Sequence, residues 1–389
     1  MKKFLLLIPI LFLLTGCYNY RELNDLAIVS GISIDKEGEE YILTAEVVNP
    51  KKETDASSGK EPGFIIYTSK GKSLQEAFRK VVKESPKKLY GGQIDILIID
   101  EDTAKSALNS IMDFFARDPE VRSEFYVLIG KSENVLEITT PLINISSQNI
   151  LNSLESSNKY FGTANLITYH ELINNYLNEK QEIALPTIET IGNEETGQNI
   201  ENMENTTSES TSIISNMAVF KNNKLKGYLT EQDSIFYNLV MSNTQTFLVR
   251  SEYGKDEYII NEVIEASSNM DANVKKKKIT ISIEGKAAIS EVNYKCNLDE
   301  EKTIEKIQKK LNEDIEKKVK SMIKTVQQEY NSDIFGFQDL FYKTDVYAYK
   351  EFKDDWYNNI FKELEIDVKS NVTIFEKGNL IGGIFDEKK

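Results

Sequence analysis

The first half of the chain alternates between strand-like and helix-like patterns of apolar residues. Residues 27–34 and 41–48 place apolar side chains at alternate positions on both sides of a turn at 37–39, which predicts a β-hairpin. Residues 94–99 are almost continuously apolar, as is typical of a strand covered on both faces. Further strands are predicted at 64–68 and 125–129, and helices at 74–85, 104–115, 146–159 and 168–178. We therefore expect an N-terminal α+β domain over residues 26–191, with 94–99 in the middle of its sheet.

Residues 192–212 interrupt this pattern, because they consist mainly of Asn, Glu, Thr, Ser, Gln and Gly. A segment with so few apolar side chains cannot bury a core, so we expect an acidic polar linker. After it, alternating apolar residues predict a second hairpin with arms at 213–220 and 225–229, followed by a helix at 231–241. We assign residues 213–255 to a small middle domain.

The C-terminal region combines strands with one long helix. Apolar residues recur in steps of three and four across 298–330, and Asn297 is the expected N-cap. This spacing favours a helix that crosses an antiparallel sheet over a coiled coil. Strands are predicted at 246–250, 258–265, 278–284, 286–294 and 366–375, and shorter helices at 337–341 and 345–364. We expect a C-terminal α+β domain over 256–389, and a three-domain α+β fold of mixed and antiparallel sheets with packed helices.

The N-terminus has the features of a bacterial lipoprotein signal peptide. Lys2 and Lys3 precede an apolar run at 4–14, which is too short to span a bilayer because that requires about 20 apolar residues. The run closes on Leu14-Thr15-Gly16-Cys17, a lipobox. We expect residues 1–16 to be a signal peptide, Cys17 to carry the lipid, and 17–25 to form the anchor and tether. An uncleaved signal anchor is the alternative.

Composition narrows the possible functions. Removal of residues 1–16 takes away two lysines and no acids, so the formal net charge falls from −15 to −17, which suits neither nucleic acid nor anionic lipid. With Cys17 acylated, only Cys296 is left, which excludes an intramolecular disulfide and favours a buried apolar role for this residue. The single histidine, His170, excludes a multi-histidine zinc site and is expected in the first turn of a helix capped by Thr168.

Four other motifs have both a chemical and a structural interpretation. Asp100-Glu101-Asp102 could bind a divalent metal, but acids are also favoured where a helix begins. Tyr90-Gly91-Gly92 could suggest a phosphate-binding loop, but it does not connect a strand to a helix as such a loop does, so we expect a turn. Residues 275–278 are four lysines, which could form a solvated turn or contact anionic head groups. The aromatic residues at 335–361, including Trp356, could pack in a core or line a ligand groove. The structural interpretation is favoured for each, and no catalytic residue, metal or cofactor is predicted.

Several stretches resemble a known family, the Ger(x)C proteins, which are the C-subunit lipoproteins of spore germinant receptors. The resemblance begins at Cys17 and extends through Asp35. The other stretches follow in the order expected for the family, at 71–77, 89–93, 115–122, 217–221, 225–229 and 333–336, with Trp356. Two positions depart from the usual family pattern: Tyr18 stands in place of Trp, and Gln93 in place of the His found in many members.

The resemblance implies a non-enzymatic lipoprotein on the outer face of the spore inner membrane. It would assemble there with an A subunit and a transporter-like B subunit into a nutrient receptor that triggers germination. Arg21, Glu22 and Asp25 are candidate partner contacts, because they lie within ten residues of the expected anchor. Two alternatives stand beside this interpretation: a lipid-anchored solute-binding protein of a transporter, and a cell-wall hydrolase that uses paired carboxylates.

Overall fold

A computed structural model describes Glu22, Asn202 and residues 25–49, 63–132, 135–137, 145–199 and 209–378. Within these residues, thirteen strands form two sheets, and helices pack on both. The predicted α+β class is therefore confirmed. The predicted signal peptide and the lipidation site Cys17 lie outside the described residues.

The first sheet is mixed and has nine strands. Its order is β3-β2-β1-β5-β6-β7-β8-β9, and the short strand β4 also pairs with β1. β1, β5, β6 and β7 run parallel, whereas the hairpins at both ends are antiparallel. The strands are β1 (Leu26–Glu37), β2 (Glu40–Val48), β3 (Phe64–Gly71), β4 (Lys88–Tyr90), β5 (Ile96–Asp100), β6 (Tyr126–Gly130), β7 (Ala184–Gly192), β8 (Ser210–Lys221) and β9 (Lys224–Tyr228).

Helices cover both faces of this sheet, as the continuous apolar run in β5 predicts. Leu97 and Ile99 of β5 pack into the same cluster as one group of helices, while Ile96 and Ile98 pack with the helix at 146–156 on the other face. The first sheet carries α1 (Leu74–Lys80), α2 (Glu101–Ser106), α3 (Leu108–Arg117), α4 (Ser146–Ser156) and α5 (Tyr169–Leu177), with short 3₁₀ turns at Val81–Lys83 and Val135–Glu137 and a π turn at Ser157–Phe161.

The segment 213–255 differs from the expected middle domain. Its hairpin is present, but β8 pairs with β7 from Ala184↔Val219 to Gly192↔Ser210, so the hairpin extends the first sheet. The following helix packs into the core of the second sheet, and the next strand belongs to that sheet. The segment is therefore divided between the two sheets.

The expected linker at 192–212 is also shorter than predicted, because both of its ends are paired strand. β7 extends to Gly192, and β8 begins at Ser210. The short helix α6 (Glu194–Gly197) follows β7. Polar Thr and Ser side chains can occupy an edge strand, and the composition of the segment concealed this pairing.

The second sheet has four strands in the order β10-β11-β12-β13, of which β13 runs parallel to β12. The two strands predicted at 278–284 and 286–294 are one continuous strand. Gly285 does not break it, because it lies opposite a bulge between Ile264 and Ser267, where an added Cβ would lie 3.3 Å from Cα of Ala266. The strands are β10 (Thr246–Gly254), β11 (Glu257–Asn273), β12 (Lys278–Asn293) and β13 (Glu365–Glu376).

The predicted long helix is confirmed and packs its apolar stripe on this sheet. Ile307, Leu311, Ile315 and Val319 are buried in the sheet's core. The predicted cap was wrong: the helix begins after Glu300, and Asn297 instead accepts a hydrogen bond from the amide of Asp299 in the preceding turn, at 3.0 Å. The helices of this region are α7 (Glu231–Val240), α8 (Glu301–Thr325), α9 (Phe337–Thr344), α10 (Val346–Lys350) and α11 (Phe361–Glu363), with a π turn at Val326–Tyr330, a 3₁₀ turn at Lys353–Asp355 and a π turn at Trp356–Ile360.

Candidate functional site

The predicted partner contacts lie where the chain enters the first sheet. Glu22 and Asp25 are both exposed, and the amide of Asp25 donates to the carbonyl of Glu22 at 3.0 Å, directly before β1. Arg21 and Cys17 lie outside the described residues. A role of these residues in partner binding stays a prediction.

The acidic motif after β5 starts a helix, as its structural interpretation predicts. Asp100 Oδ1 accepts hydrogen bonds from the amides of Asp102 at 2.8 Å and Thr103 at 3.5 Å, which caps α2. Glu101 and Asp102 each pair with Lys105 at 2.8 Å. Across the part of the chain that the structure describes, no three His, Cys, Asp or Glu side chains are grouped as a metal site requires.

The remaining motifs also have structural roles. The glycine pair after β4 forms a turn, and of the four lysines at 275–278 the first three form an exposed turn between β11 and β12, whereas Lys278 begins β12 and pairs with Glu365 at 2.7 Å. Trp356 is only 1% exposed and packs against Phe341 and Phe361, with ring centroids 5.4 and 6.2 Å away. These three structural interpretations are confirmed.

His170 and Cys296 lie where the local sequence places them. His170 is exposed in the first turn of α5, where Thr168 and Glu171 form the predicted capping box. Cys296 is half-buried beside a small apolar cluster, so it is less buried than expected.

A groove of about 1290 Å³ opens between α1 and α3, and we call it the α1–α3 groove. Its floor is apolar: Leu74, Phe78 and Leu89 are buried beneath it, and the rings of Phe78 and Phe114 lie 6.0 Å apart. Val82, at one wall, is 51% exposed. An exposed apolar side chain at the wall of a groove with an apolar floor makes this groove a candidate docking surface.

The acidic side chains of the α1–α3 groove already have partners. Asp113 pairs with Arg117 at 2.8 Å, Glu120 pairs with Lys88 at 2.6 Å, and Asp118 accepts a hydrogen bond from the amide of Glu120 at 2.9 Å. The hydrogen bond from Arg117 holds the pKa of Asp113 below its ordinary value.

Two cations of the groove, Lys72 and Arg79, differ from these acids. Both side chains are exposed, and neither forms an ion pair with any residue that the structure describes. The lining of the groove has four cations, Lys72, Arg79, Lys88 and Arg117, against three acids, so its formal charge is +1 in a chain whose net charge is −15.

Three of the stretches that carry the family resemblance meet at this groove. Residues 71–77 contribute the start of α1, 89–93 contribute Leu89, and 115–122 contribute the turn after α3. They meet because Leu89 of β4 packs into the same apolar cluster as the buried faces of α1 and α3. The sequence showed these stretches separately and did not reveal that they share one surface.

The second candidate region joins the first sheet to the segment that follows α8, and we call it the junction. It comprises Glu182, the β8–β9 hairpin, residues 330–336 and Tyr357. Tyr330 donates to the carbonyl of Tyr228 at 2.7 Å, and Lys221 donates to the carbonyl of Asn331 at 2.5 Å. The hydroxyl of Ser332 donates to the carbonyl of Phe220, and the amide of Glu182 donates to the carbonyl of Asp333 at 3.0 Å.

Asp333 is the buried acid of the junction. Its Oδ1 accepts a hydrogen bond from the amide of Phe337 at 3.0 Å, and its Oδ2 accepts one from the amide of Gln338 at 2.7 Å, at the start of α9. Burial raises the pKa of Asp333 to about 7, although these amide donors act in the opposite direction. Burial also raises the pKa of the neighbouring Glu182.

The family-like stretches of the C-terminal half meet at the junction. Residues 217–221 and 225–229 form the hairpin side, and 333–336 form the other side. Gly336 has φ +73°, which favours glycine, and lies against Gln181. Gly227 has a steric role, because an added Cβ would lie 2.8 Å from Cε1 of Tyr330.

None of the helices in the described residues is both long enough and apolar enough to cross a membrane.

Two family models match the chain consecutively. The model of the spore germination protein N-terminal domain matches residues 19–190, and that of the spore germination B3/GerAC-like C-terminal domain matches 215–378. Spore germination protein KC of Bacillus subtilis (strain 168) is 26% identical over 380 residues, which are 94% of this chain and 93% of that protein. Spore germination protein GerQC of Bacillus cereus is 23% identical and covers 78% of this chain and 79% of its own length.

A solved structure has the same fold. The crystal structure of the GerBC protein aligns with a TM-score of 0.54 and 16% identity, and covers 89% of this chain and 97% of that one. The two family models together span most of the chain in the order N-terminal then C-terminal domain, with a gap at 191–214. This chain therefore belongs to the Ger(x)C family of spore germination proteins.

Proposed function

We propose that this chain is the non-enzymatic, lipid-anchored C subunit of a nutrient germinant receptor. The observation that carries this proposal is the consecutive match of both family models, supported by relatives that are named spore germination proteins over almost their whole length. The acids that could have bound a divalent metal, Asp100 to Asp102, instead cap α2 and pair with Lys105 in its first turns.

The proposed location is the outer face of the spore inner membrane. The lipobox at 14–17 supports acylation of Cys17, and burying several acyl chains is enough for stable attachment, since each methylene contributes about 0.8 kcal/mol. The described fold begins at Asp25, so only a short tether separates it from the anchor. The aromatic ring of Tyr18 suits the membrane interface.

The proposed role is to assemble with a membrane-embedded A subunit and a transporter-like B subunit and to couple nutrient binding to germination. The junction suits a coupling element, because hydrogen bonds there connect the first sheet to residues 330–333, which follow the helix α8 that packs on the second sheet. A force applied to one sheet is then transmitted to the other instead of being lost in a flexible connection.

Spores that lack the gene test this function. We expect them to lose dipicolinate release in response to at least one nutrient, and the wild-type gene to restore it. A Cys17→Ala chain should leave the membrane fraction and restore little, because its anchor is gone.

Normal germination of the deletion spores in every nutrient, with no paralogue present, would contradict the receptor function. Loss of nutrient uptake by growing cells, with germination unchanged, would instead favour the solute-binding alternative.

A further inference from the structure

The α1–α3 groove has the chemistry of a docking surface whose partner is missing. It combines an apolar floor around Phe78 and Phe114 with two cations, Lys72 and Arg79, that have no ion-pair partner among the described residues. All three acids of the groove are already engaged. A binding partner complementary to this surface has apolar side chains along one face and carboxylates along the edge that contacts α1.

The groove also lies close to the expected membrane anchor. Lys88, which lines the groove, pairs with Leu26 at the start of β1. Eight residues lie between Cys17 and Leu26, so this part of the groove lies within about 37 Å of the lipid, since an extended chain spans at most about 3.6 Å per residue and neighbouring strands lie about 5 Å apart. Protein segments that emerge from the bilayer are within its reach.

We propose that the α1–α3 groove docks an acidic, amphipathic segment of a membrane-embedded partner protein. This inference rests on the proposed receptor function and assigns the surface of this subunit that binds its partner. Charge complementarity favours an acidic segment, because the carboxylates of the partner would pair with Lys72 and Arg79 while its apolar face covers Val82 and Phe114.

A protein segment fits this surface better than a lipid head-group layer does. The α3 wall carries Asp118, which forms no ion pair with any residue that the structure describes and would repel the phosphates of a flat anionic bilayer. A narrow segment can place its acids beside α1 only, and its apolar residues can reach the recessed floor between the helices.

Site-specific photocrosslinking in spore membranes tests the proposal. The full-length chain carries photoreactive benzoylphenylalanine in place of Val82, and a matched chain carries it in place of Leu177, which is 69% exposed and lies outside the groove. We expect crosslinking from position 82, and not from 177, to a peptide of a membrane-embedded protein that is rich in Asp and Glu.

Charge reversal supplies the second part of the test. In the position-82 chain, Lys72→Glu with Arg79→Glu should lower the crosslinking yield about tenfold, because like charges then face each other. Lys83→Glu is the matched control: Lys83 is exposed next to Val82 but does not line the groove, so the yield should be unchanged. Replacing the acids of the captured peptide with lysine should restore crosslinking to the doubly reversed chain.

Several outcomes would overturn the proposal: equal yields from positions 82 and 177, capture of lipid or of a second copy of this chain, or a yield that charge reversal leaves unchanged. The unfolding midpoints of the variants are the control for folding. If they equal that of the wild-type chain, a lost crosslink reflects a lost contact and not a lost fold. If the groove variants still co-purify normally with membrane-embedded receptor subunits, the groove proposal fails and the receptor function stands. If the wild-type chain recovers no such subunit, the receptor function fails as well.

Discussion

The α1–α3 groove and the junction both collect family-like stretches of sequence, but they use polar side chains in opposite ways. In the groove, most charged side chains lie at the surface, where Asp113 pairs with Arg117 and Glu120 pairs with Lys88, and Lys72 and Arg79 have no ion-pair partner in the described structure. In the junction, polar side chains are buried or half-buried, and they donate to backbone carbonyls across the contact between the first sheet and residues 330–333. The junction therefore fixes internal geometry, and the groove is open to an external partner.

The difference should appear most strongly in stability. Phe335 is buried in the junction, with its ring stacked 4.9 Å from that of Phe337. Phe335→Ala should lower the free energy of unfolding by about 3–5 kcal/mol, because it leaves a cavity in a packed core. Denaturant titration measures this change. Val82→Ala in the groove is the control and should cost about 0.5 kcal/mol or less, and equal costs would show that the groove is also a structural core.

The two regions should also respond oppositely to pH. In the unfolded chain Asp333 has its ordinary pKa of 3.8, whereas in the folded chain burial raises the pKa to about 7. Between these values the folded chain holds a proton that the unfolded chain has lost, so the contribution of Asp333 to stability is present below pH 4 and is lost as the pH rises toward 7. For Asp113 in the groove the pKa is lowered, so its smaller contribution is lost as the pH falls.

Asp333→Asn isolates the junction's part of this behaviour. The difference in the free energy of unfolding between the wild-type chain and this variant should decline between pH 4 and pH 7. Denaturant titrations at several pH values measure it. A difference that increases with pH would show that the amides of Phe337 and Gln338 stabilise the ionised carboxylate more than burial destabilises it.

A smaller effect is expected where the hairpin packs on Tyr330. Gly227→Ala should cost about 1–3 kcal/mol, because the new Cβ would overlap a ring that its hydrogen bond to Tyr228 holds in place. The cost should shrink in a Tyr330→Ala background, which removes the ring. Additive costs in this double-mutant cycle would contradict the steric explanation.

The smallest effect is expected for the ion pairs at the rim of the groove. Arg117→Ala removes an exposed pair with Asp113 and should change the free energy of unfolding by less than about 1 kcal/mol. The same titration at high salt should show an even smaller difference, because exposed pairs are screened. If Arg117→Ala lowered the free energy of unfolding as much as Phe335→Ala does, the ion pairs at the rim would be structural elements, contrary to this prediction.

Local sequence patterns predicted the strands and helices whose buried faces follow a regular spacing of apolar residues. The continuous apolar run of β5 identified a strand covered on both faces, and the stripe from Ile307 to Ile323 identified the long helix. Caps were predictable where a side chain and its target are close in sequence, as at Thr168 and Glu171. At Asn297 the same logic failed, because a local turn uses the side chain before the helix begins.

The place of residues 213–255 in the fold could not be predicted, because it depends on pairing between distant residues. The sequence analysis missed β7, whose Pro186 and mixed polar pattern conceal a strand. Without β7 the hairpin at 210–228 had no visible partner, so it was assigned to a domain of its own. The groove was hidden for the same reason: Lys72, Leu89 and Arg117 are distant in sequence and line one surface only in the folded chain.

The most direct test of the receptor function is a pull-down of the tagged, full-length chain from detergent-solubilised spore inner membranes. The account predicts recovery of a transporter-like membrane protein together with a second receptor subunit, and loss of both with Cys17→Ala. Recovery of ATP-driven transporter components, or of no membrane protein at all, would contradict it.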